Sequence, residues 1–284
     1  QDGVPLRSKR EIERQLKKYV YPKWEDRPFL EIRRGVVTAL MDEMVDNHGA
    51  VQADRVLATL AKLFNWFRQY DEAYVSPIIP EMKRSGSHIS RARSRILTDD
   101  EIRTIWRACD EIGTFGAFVR VALLTGQRRA KVATMRHEDI VDGVWTIPAE
   151  AREKVNAGSL KLPKAALDII KAQPKVKDNP FVFNGRGKRA FNSFSDGKED
   201  LHAKAPIAPW VIHDLRRTAK TLMARAGVRP DISERTLGHV ITGVEGGYDR
   251  HSYAKEKGEA LETLAALIER ILNPQSGNVV ALHG

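Results

Sequence analysis

A chain of 284 residues is long for a single hydrophobic core and reads as two domains, and its 42% apolar content is that of an ordinary globular protein. Its 47 Lys and Arg against 37 Asp and Glu leave a net charge of +10 and a pI of about 9.7, a balance suited to a polyanion, either nucleic acid or an anionic membrane surface. No apolar run approaches the roughly 20 residues that cross a bilayer and no secretory signal opens the chain, so a membrane partner is not expected. The single cysteine, Cys109, excludes an intramolecular disulfide and fits a reducing cytoplasm. The first residue is Gln1 rather than Met, which reads as the start of a fragment.

The chain is expected to be mainly α. Residues 1–82 read as a small helical bundle. Ser8 to Glu11 has the form of a capping box, and Ile12, Leu16, Tyr19 and Val20 follow at helical spacing. Pro22 and Pro28 are read as breaks. A second helix fits roughly 33–47, and a third roughly 50–70, whose stripe of Val56, Leu57, Leu60, Leu63, Phe64 and Phe67 is wide enough for a bundle seam.

Residues 83–97 are read as a linker. Lys83, Arg84, Arg91, Arg93 and Arg95 are spread among serines and a glycine with no acid between them. Such a strip suits a segment crossing a DNA groove, or equally a solvated linker.

Residues 98–284 are read as a second, larger helical domain with a small antiparallel sheet. Thr98 to Glu101 is a second capping box, and helices are predicted to about Asp110, over 114–125 and from Gln127 to Met135. Cys109 is expected to be buried on the first of them. A turn and strand fit Val141 to Ile147, and a second strand fits 160–162, with Lys154 near the end of the preceding strand. Residues 163–171 read as a helix, 181–183 as a short extended piece and 184–209 as a basic loop. Gly185 to Lys188 lacks the spacing and hydroxyl of a phosphate loop. Helices follow from Pro209 to Gly227, over 230–237, and from Ala254 to about Leu272, where an amphipathic helix ends at Pro274.

Some of these positions could carry chemistry. His213 and Arg216 lie three apart on one helix face. Arginine grips phosphate oxygens in a bidentate fork, and Arg128 after Thr125-Gly126 is a candidate for the other half of a clamp. Tyr248 could act as a nucleophile and Lys154 as a proton donor to a leaving oxygen. Each also has a plain structural reading: a solvated helix face, a surface tyrosine, a surface lysine. His213, His239 and His251 have no Cys or Glu cluster beside them, so no metal site is expected. Residues taken singly reach only a basic, two-domain, DNA-binding protein.

Together, Thr125-Gly126-Gln127-Arg128, Lys154 on a hairpin, His213-Asp214-Leu215-Arg216-Arg217-Thr218, Leu237-Gly238-His239 and Tyr248 nine residues later resemble the tyrosine recombinases, the phage-type integrases. The match spans about 98–272, and the helical segment before it resembles that family's SAM-like core-binding domain. The nearest resemblance is to integrases of prophages and genomic islands, which also carry an N-terminal arm-binding domain absent from these residues. The resemblance implies that Arg128 and Arg216 clamp the scissile phosphate. Lys154 would protonate the 5′ oxygen, His213 and His239 would bond the phosphate or move protons, and Tyr248 would attack to give a 3′-phosphotyrosyl link. It implies neither metal nor nucleotide cofactor. Expected partners are double-stranded attachment sites, further copies of the chain in a tetramer, a directionality factor and a DNA-bending protein. Tyr253 is a rival nucleophile, which the spacing from His239 disfavours.

One position departs from the family. Three residues after the first catalytic arginine an acid is usual, whereas here Lys131 stands. The expectation is added positive charge near Arg128 and Arg216, with weakened activity or an altered local structure. Two further readings therefore stay open, an attachment-site-binding protein impaired in catalysis and a type IB topoisomerase-like relaxing enzyme. The C-terminal helix and the apolar tail 279–282 could pack on their own subunit or on a neighbour; self-packing is expected in the free monomer.

Overall fold

The structure, a computed structural model, describes residues 8–86, 93–150, 156–239 and 251–274. The chain separates into two units, Gln1–Arg93 and Ser94–Gly284.

The first unit is helical throughout its regular parts: α1 (Lys9–Gln15), α2 (Tyr21–Trp24), α3 (Arg34–His48) and α4 (Ala50–Phe67). Its core sets Val37, Leu40, Met41 and Met44 of α3 against Val56, Leu57, Leu60 and Phe64 of α4. Burying each such side chain stabilises the unit by about 1.5–3 kcal/mol. Leu63, expected in the seam, is exposed: only one flank of α4 is covered, and position 63 lies beyond that stripe. Pro22 does not break the chain. A π-helical turn at Leu16–Val20 lets the Tyr21 N–H donate to Leu16 O, five residues back, and the helix resumes with Pro22 in its first turn, where no N–H is required. The Ser8 capping box also does not form. The Ser8 side chain makes no cap bond, and the Glu11 carboxylate instead accepts from Arg14 and Gln15.

The second unit is built around α6 (Gly113–Thr125). Nearly every one of its residues is apolar, so it is buried on all sides, with Phe115, Phe118, Val121 and Leu124 in the core. Arg120 is its one charged residue, held by Trp106 O and by Asp110 at 2.7 Å. α5 (Asp99–Ala108) begins with the expected capping box: Thr98 Oγ1 accepts from Glu101 N–H, and Glu101 accepts from Thr98 N–H at 2.9 Å. Cys109 is buried one residue past that helix, and burial pushes its thiol up to about 12.

A short helix α7 (Arg129–Ala133) leads to a three-stranded antiparallel sheet, β1 (Ile140–Val141), β2 (Val144–Thr146) and β3 (Ser159–Lys161), in the order β1-β2-β3. Trp145 pairs with Ile140 on one side and Leu160 on the other, and both Trp145 and Leu160 are buried. β1 was not expected; two residues show no periodicity, and it forms because Asp142-Gly143 turns the chain back. α8 (Lys164–Lys171) follows. The stretch expected as loop contains α9 (Phe194–Lys204), whose signal is weak because Leu201 is its one fully buried apolar side chain and its next contact with the core, Gly197, carries none. A Cβ at Gly197 would lie 2.6 Å from the Phe115 ring.

α10 (Ile212–Arg225), α11 (Pro230–Leu237) and α12 (Ala254–Leu272) complete the unit. α12 buries Leu261, Leu264, Leu267, Ile268 and Ile271 in the core of its own chain, while the tail 279–282 lies outside the described residues. No helix among the described residues is long and apolar enough to cross a membrane.

Candidate active site

Two helices end toward the same place, each with a left-handed glycine. Gly126 (φ +62°) ends α6, its N–H donating to Ala122 O. A side chain there would also strike α11, since a Cβ would lie 2.7 Å from Leu237. Gly238 (φ +69°) ends α11 in a Schellman motif: Gly238 N–H donates to Arg235 O at 3.1 Å, and His239 N–H donates to Glu234 O at 3.0 Å. The Leu-Gly-His sequence is thus a helix stop, and His239 is the residue that the stop turns back. Gly238 is doubly constrained, because a Cβ would come within 2.4 Å of Ala157 N.

Both stops leave carbonyls without helical partners, and the two arginines take them. Arg216, on the second turn of α10, donates from Nη1 to Gly126 O at 2.9 Å and from Nη2 to Leu237 O at 2.8 Å. Arg128, just before α7, donates from Nη2 to Gly238 O at 3.0 Å. A cation at a helix C-terminus gains about 0.3–1 kcal/mol from the helix dipole. Arg216 is only 4% exposed. Burial, and then the like charge of Arg128, lower its pKa to about 10, which leaves it charged at neutral pH. Gln127 is buried between these loops, its Nε2 donating to Thr125 O and Thr236 O.

His213 lies in the first turn of α10, exposed. Partial desolvation, followed by the charges of Arg217 and Arg216, lowers its pKa below the ordinary histidine value. In the same stretch Asp214 is structural: it is fully buried, accepts from Val211 N–H at 2.9 Å and pairs with Arg217 at 2.7 Å. Thr218 Oγ accepts from Leu97 N–H.

His239 is bonded through Nδ1 to Glu234, whose other oxygen accepts from Lys220. Burial acts first to lower the His239 pKa and the Glu234 bond acts to raise it; with Arg216 also lowering it, the net shift is downward. Burial acts to raise the Glu234 carboxyl, but the bonds from Lys220 and His239 outweigh it and hold the group ionised. Glu234 was not picked out from sequence. It lies five residues before His239, a spacing that no helical face brings together; only the turn at Gly238 does so.

Lys131 is turned to the sheet side. It is 7% exposed, donates from Nζ to Pro148 O at 2.8 Å and pairs with Glu150 at 3.1 Å. Tyr253 has the Arg235 guanidinium over its ring at 4.1 Å and packs edge-on to His251. Lys154, Tyr248 and Arg91 lie outside the described residues.

The basic strip divides in two. Lys83 is exposed, while Arg84 pairs with Asp42 at 2.6 Å and its N–H donates to Asp54. Arg93 is exposed, and Arg95 pairs with Glu101 and donates to Ala208 O.

The fold and the residues have relatives. Prophage integrase IntZ of Escherichia coli strain K12 is 23% identical over 269 residues, which cover 93% of this chain and 66% of that protein, so the chain spans just under two thirds of that relative. The fold is that of a lambda integrase fragment (residues 75–356), solved as a dimer on a COC′ core site (TM-score 0.66, 17% identity, 84% of this chain and 89% of that one). The Tn1549 transposon integrase fragment (residues 82–397), solved with circular intermediate DNA, has the same fold (TM-score 0.65, 14% identity, 88% and 92%). Residues 95–254, more than half of the chain and including every residue of the cluster above, match the phage integrase family. The chain belongs to that family, the tyrosine recombinases.

Proposed function

We propose that the chain is a site-specific DNA recombinase that integrates or excises a mobile element. The observation that carries this reading is the convergence of Arg128, Arg216, His213 and His239, two guanidiniums and two imidazoles within electrostatic reach of one another, at the ends of α6, α10 and α11. Such a set presents forked donors to a phosphate diester and stabilises the negative charge of its transition state through preorganised groups. The N-terminus of α10 adds its dipole.

In this reading Tyr248 attacks the phosphorus. The Tyr–O–P bond forms, the bond to the 5′ oxygen breaks, and Lys154 supplies the proton that oxygen takes. The phenolic proton passes to an unprotonated imidazole of the cluster. The product is a 3′-phosphotyrosyl link beside a free 5′ hydroxyl, and attack by a partner strand's hydroxyl reverses the step on new DNA. Two rounds within a tetramer exchange both strands. The phosphodiester bond energy is conserved throughout, so the chain's own residues account for the chemistry. Lys83, Arg84, Arg91, Arg93 and Arg95 contact the backbone of the bound duplex. A directionality factor and a DNA-bending protein would bias the outcome, and the cytoplasm is where such DNA is met.

The test uses nicked duplexes recovered from a randomised library by covalent capture on the full chain. A denaturation-resistant adduct that Tyr248→Phe abolishes supports the reading. No adduct from the parent chain favours an attachment-site-binding protein, and plasmid relaxation without strand exchange favours a topoisomerase.

A further inference from the structure

We infer that Lys257 is a positioning residue for the arginine clamp, acting through the Ala157 backbone that braces the turn at Gly238. The inference rests on the reading of Arg128 and Arg216 as the groups that grip the scissile phosphate.

A line of contacts joins α12 to the clamp. Lys257, at the end of the first turn of α12, is buried, and its Nζ donates to Ala157 O at 2.7 Å. Ala157 is buried too, and its neighbours are fixed: Ile147 N–H donates to Gly158 O at 3.1 Å, and Asn156 Oδ1 accepts from Gly158 N–H at 2.7 Å. The backbone of Asn156 and Ala157 lies against Gly238, where a Cβ would come within 2.4 Å of Ala157 N and 2.6 Å of Asn156 C. That turn supplies acceptors to both arginines. Gly238 O takes Arg128 Nη2 at 3.0 Å, and Leu237 O takes Arg216 Nη2 at 2.8 Å. A shift of Ala157 therefore reaches both guanidiniums through one turn.

Stability does not account for a lysine at this place. Burial, and then the like charge of Arg235, lower its pKa, so both oppose the ammonium. The first turn of a helix also disfavours a cation. Among the described residues Ala157 O is the one acceptor that the ammonium meets, and no carboxylate pairs with it. A methionine would fill the same space without a buried charge. What methionine lacks is the donor, and the donor fixes where Ala157 O sits. The other buried side chains of α12, such as Leu261, Leu264 and Ile268, hold the helix by packing, which has no direction. The Lys257 bond has one, and it points at the backbone that braces the clamp.

The experiment compares two versions of the library-selected nicked duplex in single-turnover cleavage by the full chain. One has the ordinary scissile phosphate. The other has a methylphosphonate there, a neutral group that leaves a clamp no charge to balance. Lys257→Met keeps an apolar stem without the donor, and Lys257→Gln keeps a donor on a shorter stem. A displacement of about 1 Å can cost about 10²-fold, so Lys257→Met is expected to cleave the phosphate about 10–100-fold more slowly than the parent. It should cleave the methylphosphonate within about threefold of the parent, an allowance well below that loss. Lys257→Gln should show the same pattern to a smaller degree, and it carries the comparison if Lys257→Met does not fold. Leu264→Ala, which opens a cavity on the same helix, should lower the melting temperature and change both rates by one factor. Arg128→Ala tests the underlying reading: if the methylphosphonate does not restore it relative to the parent, the clamp reading fails and the inference with it. If Arg128→Ala is restored but the folded Lys257 variants are slowed equally on both substrates, or on neither, the positioning role is overturned. A loss confined to the phosphate for Leu264→Ala, as large as that for Lys257→Met, overturns it as well.

Discussion

Replacing Glu234 with Gln isolates one charge in the cluster. Gln keeps an oxygen that can accept from His239 Nδ1–H, so the ring stays where the Schellman turn puts it, but the carboxylate charge is gone. With Nδ1–H committed to residue 234, His239 can donate to a phosphate from Nε2 only as the imidazolium. The active form therefore exists below the His239 pKa in the DNA complex and is lost as pH rises through it. Burial and Arg216 lower that pKa while Glu234 raises it, so the substitution moves it further down. The Glu234 and His239 side chains are 29% and 36% exposed, so solvent screening holds the worth of the pair to about 0.2–1 kcal/mol. The assay is covalent capture of the nicked duplex from pH 5.5 to 9. The alkaline limb of Glu234→Gln should lie below the parent's, so that cleavage measured on that limb falls by about 1.4–5-fold. A limb that does not move, or moves upward, refutes the role given to Glu234.

Other perturbations test other parts of the cluster. Arg216→Lys should lower the melting temperature by several degrees and slow cleavage about 10²–10³-fold, because one ammonium cannot span the buried Gly126 O and Leu237 O and still face a phosphate. Gly238→Ala should cost about 1–3 kcal/mol in urea unfolding, since the left-handed backbone and the close approach to Ala157 both exclude a Cβ; an unchanged midpoint would contradict this. Lys83→Ala should reduce the slope of log K against log salt for duplex binding by about one, and Arg84→Ala by less, because Asp42 already holds that guanidinium. Equal slopes for the two would contradict it.

Much of the fold could be read from the sequence where a helix has its own punctuation. Thr98 with Glu101, Gly126, Gly238 and the amphipathic run Ala254–Leu272 mark their elements because each signal is local. The failures have local causes as well. Ser8 has the capping pattern, but Arg14 competes for its glutamate; Pro22 is absorbed by a π turn; α9 buries only Leu201 and Gly197 fully, too few apolar positions to show a helical period. In the site, the residues singled out from sequence at 128, 213, 216 and 239 are brought together by the fold, while the contacts that hold them were not visible. The arginines are seated on backbone carbonyls, which no residue type announces. Glu234 meets His239 only because the chain reverses at Gly238, and Lys131 meets Glu150 across the base of the sheet.

The nucleophile is the central point, and tyrosine position distinguishes the candidates cleanly. Trypsin cutting after Arg235, Arg250 and Lys255 would release residues 236–250, with Tyr248 as the only tyrosine, and residues 251–255, with Tyr253. Mass spectrometry of the nuclease- and trypsin-treated covalent adduct therefore reads the attacking residue directly. A 3′-nucleotide on the 236–250 peptide is the expected result. The same mass on 251–255, or an adduct on neither, would contradict a recombinase that works through Tyr248.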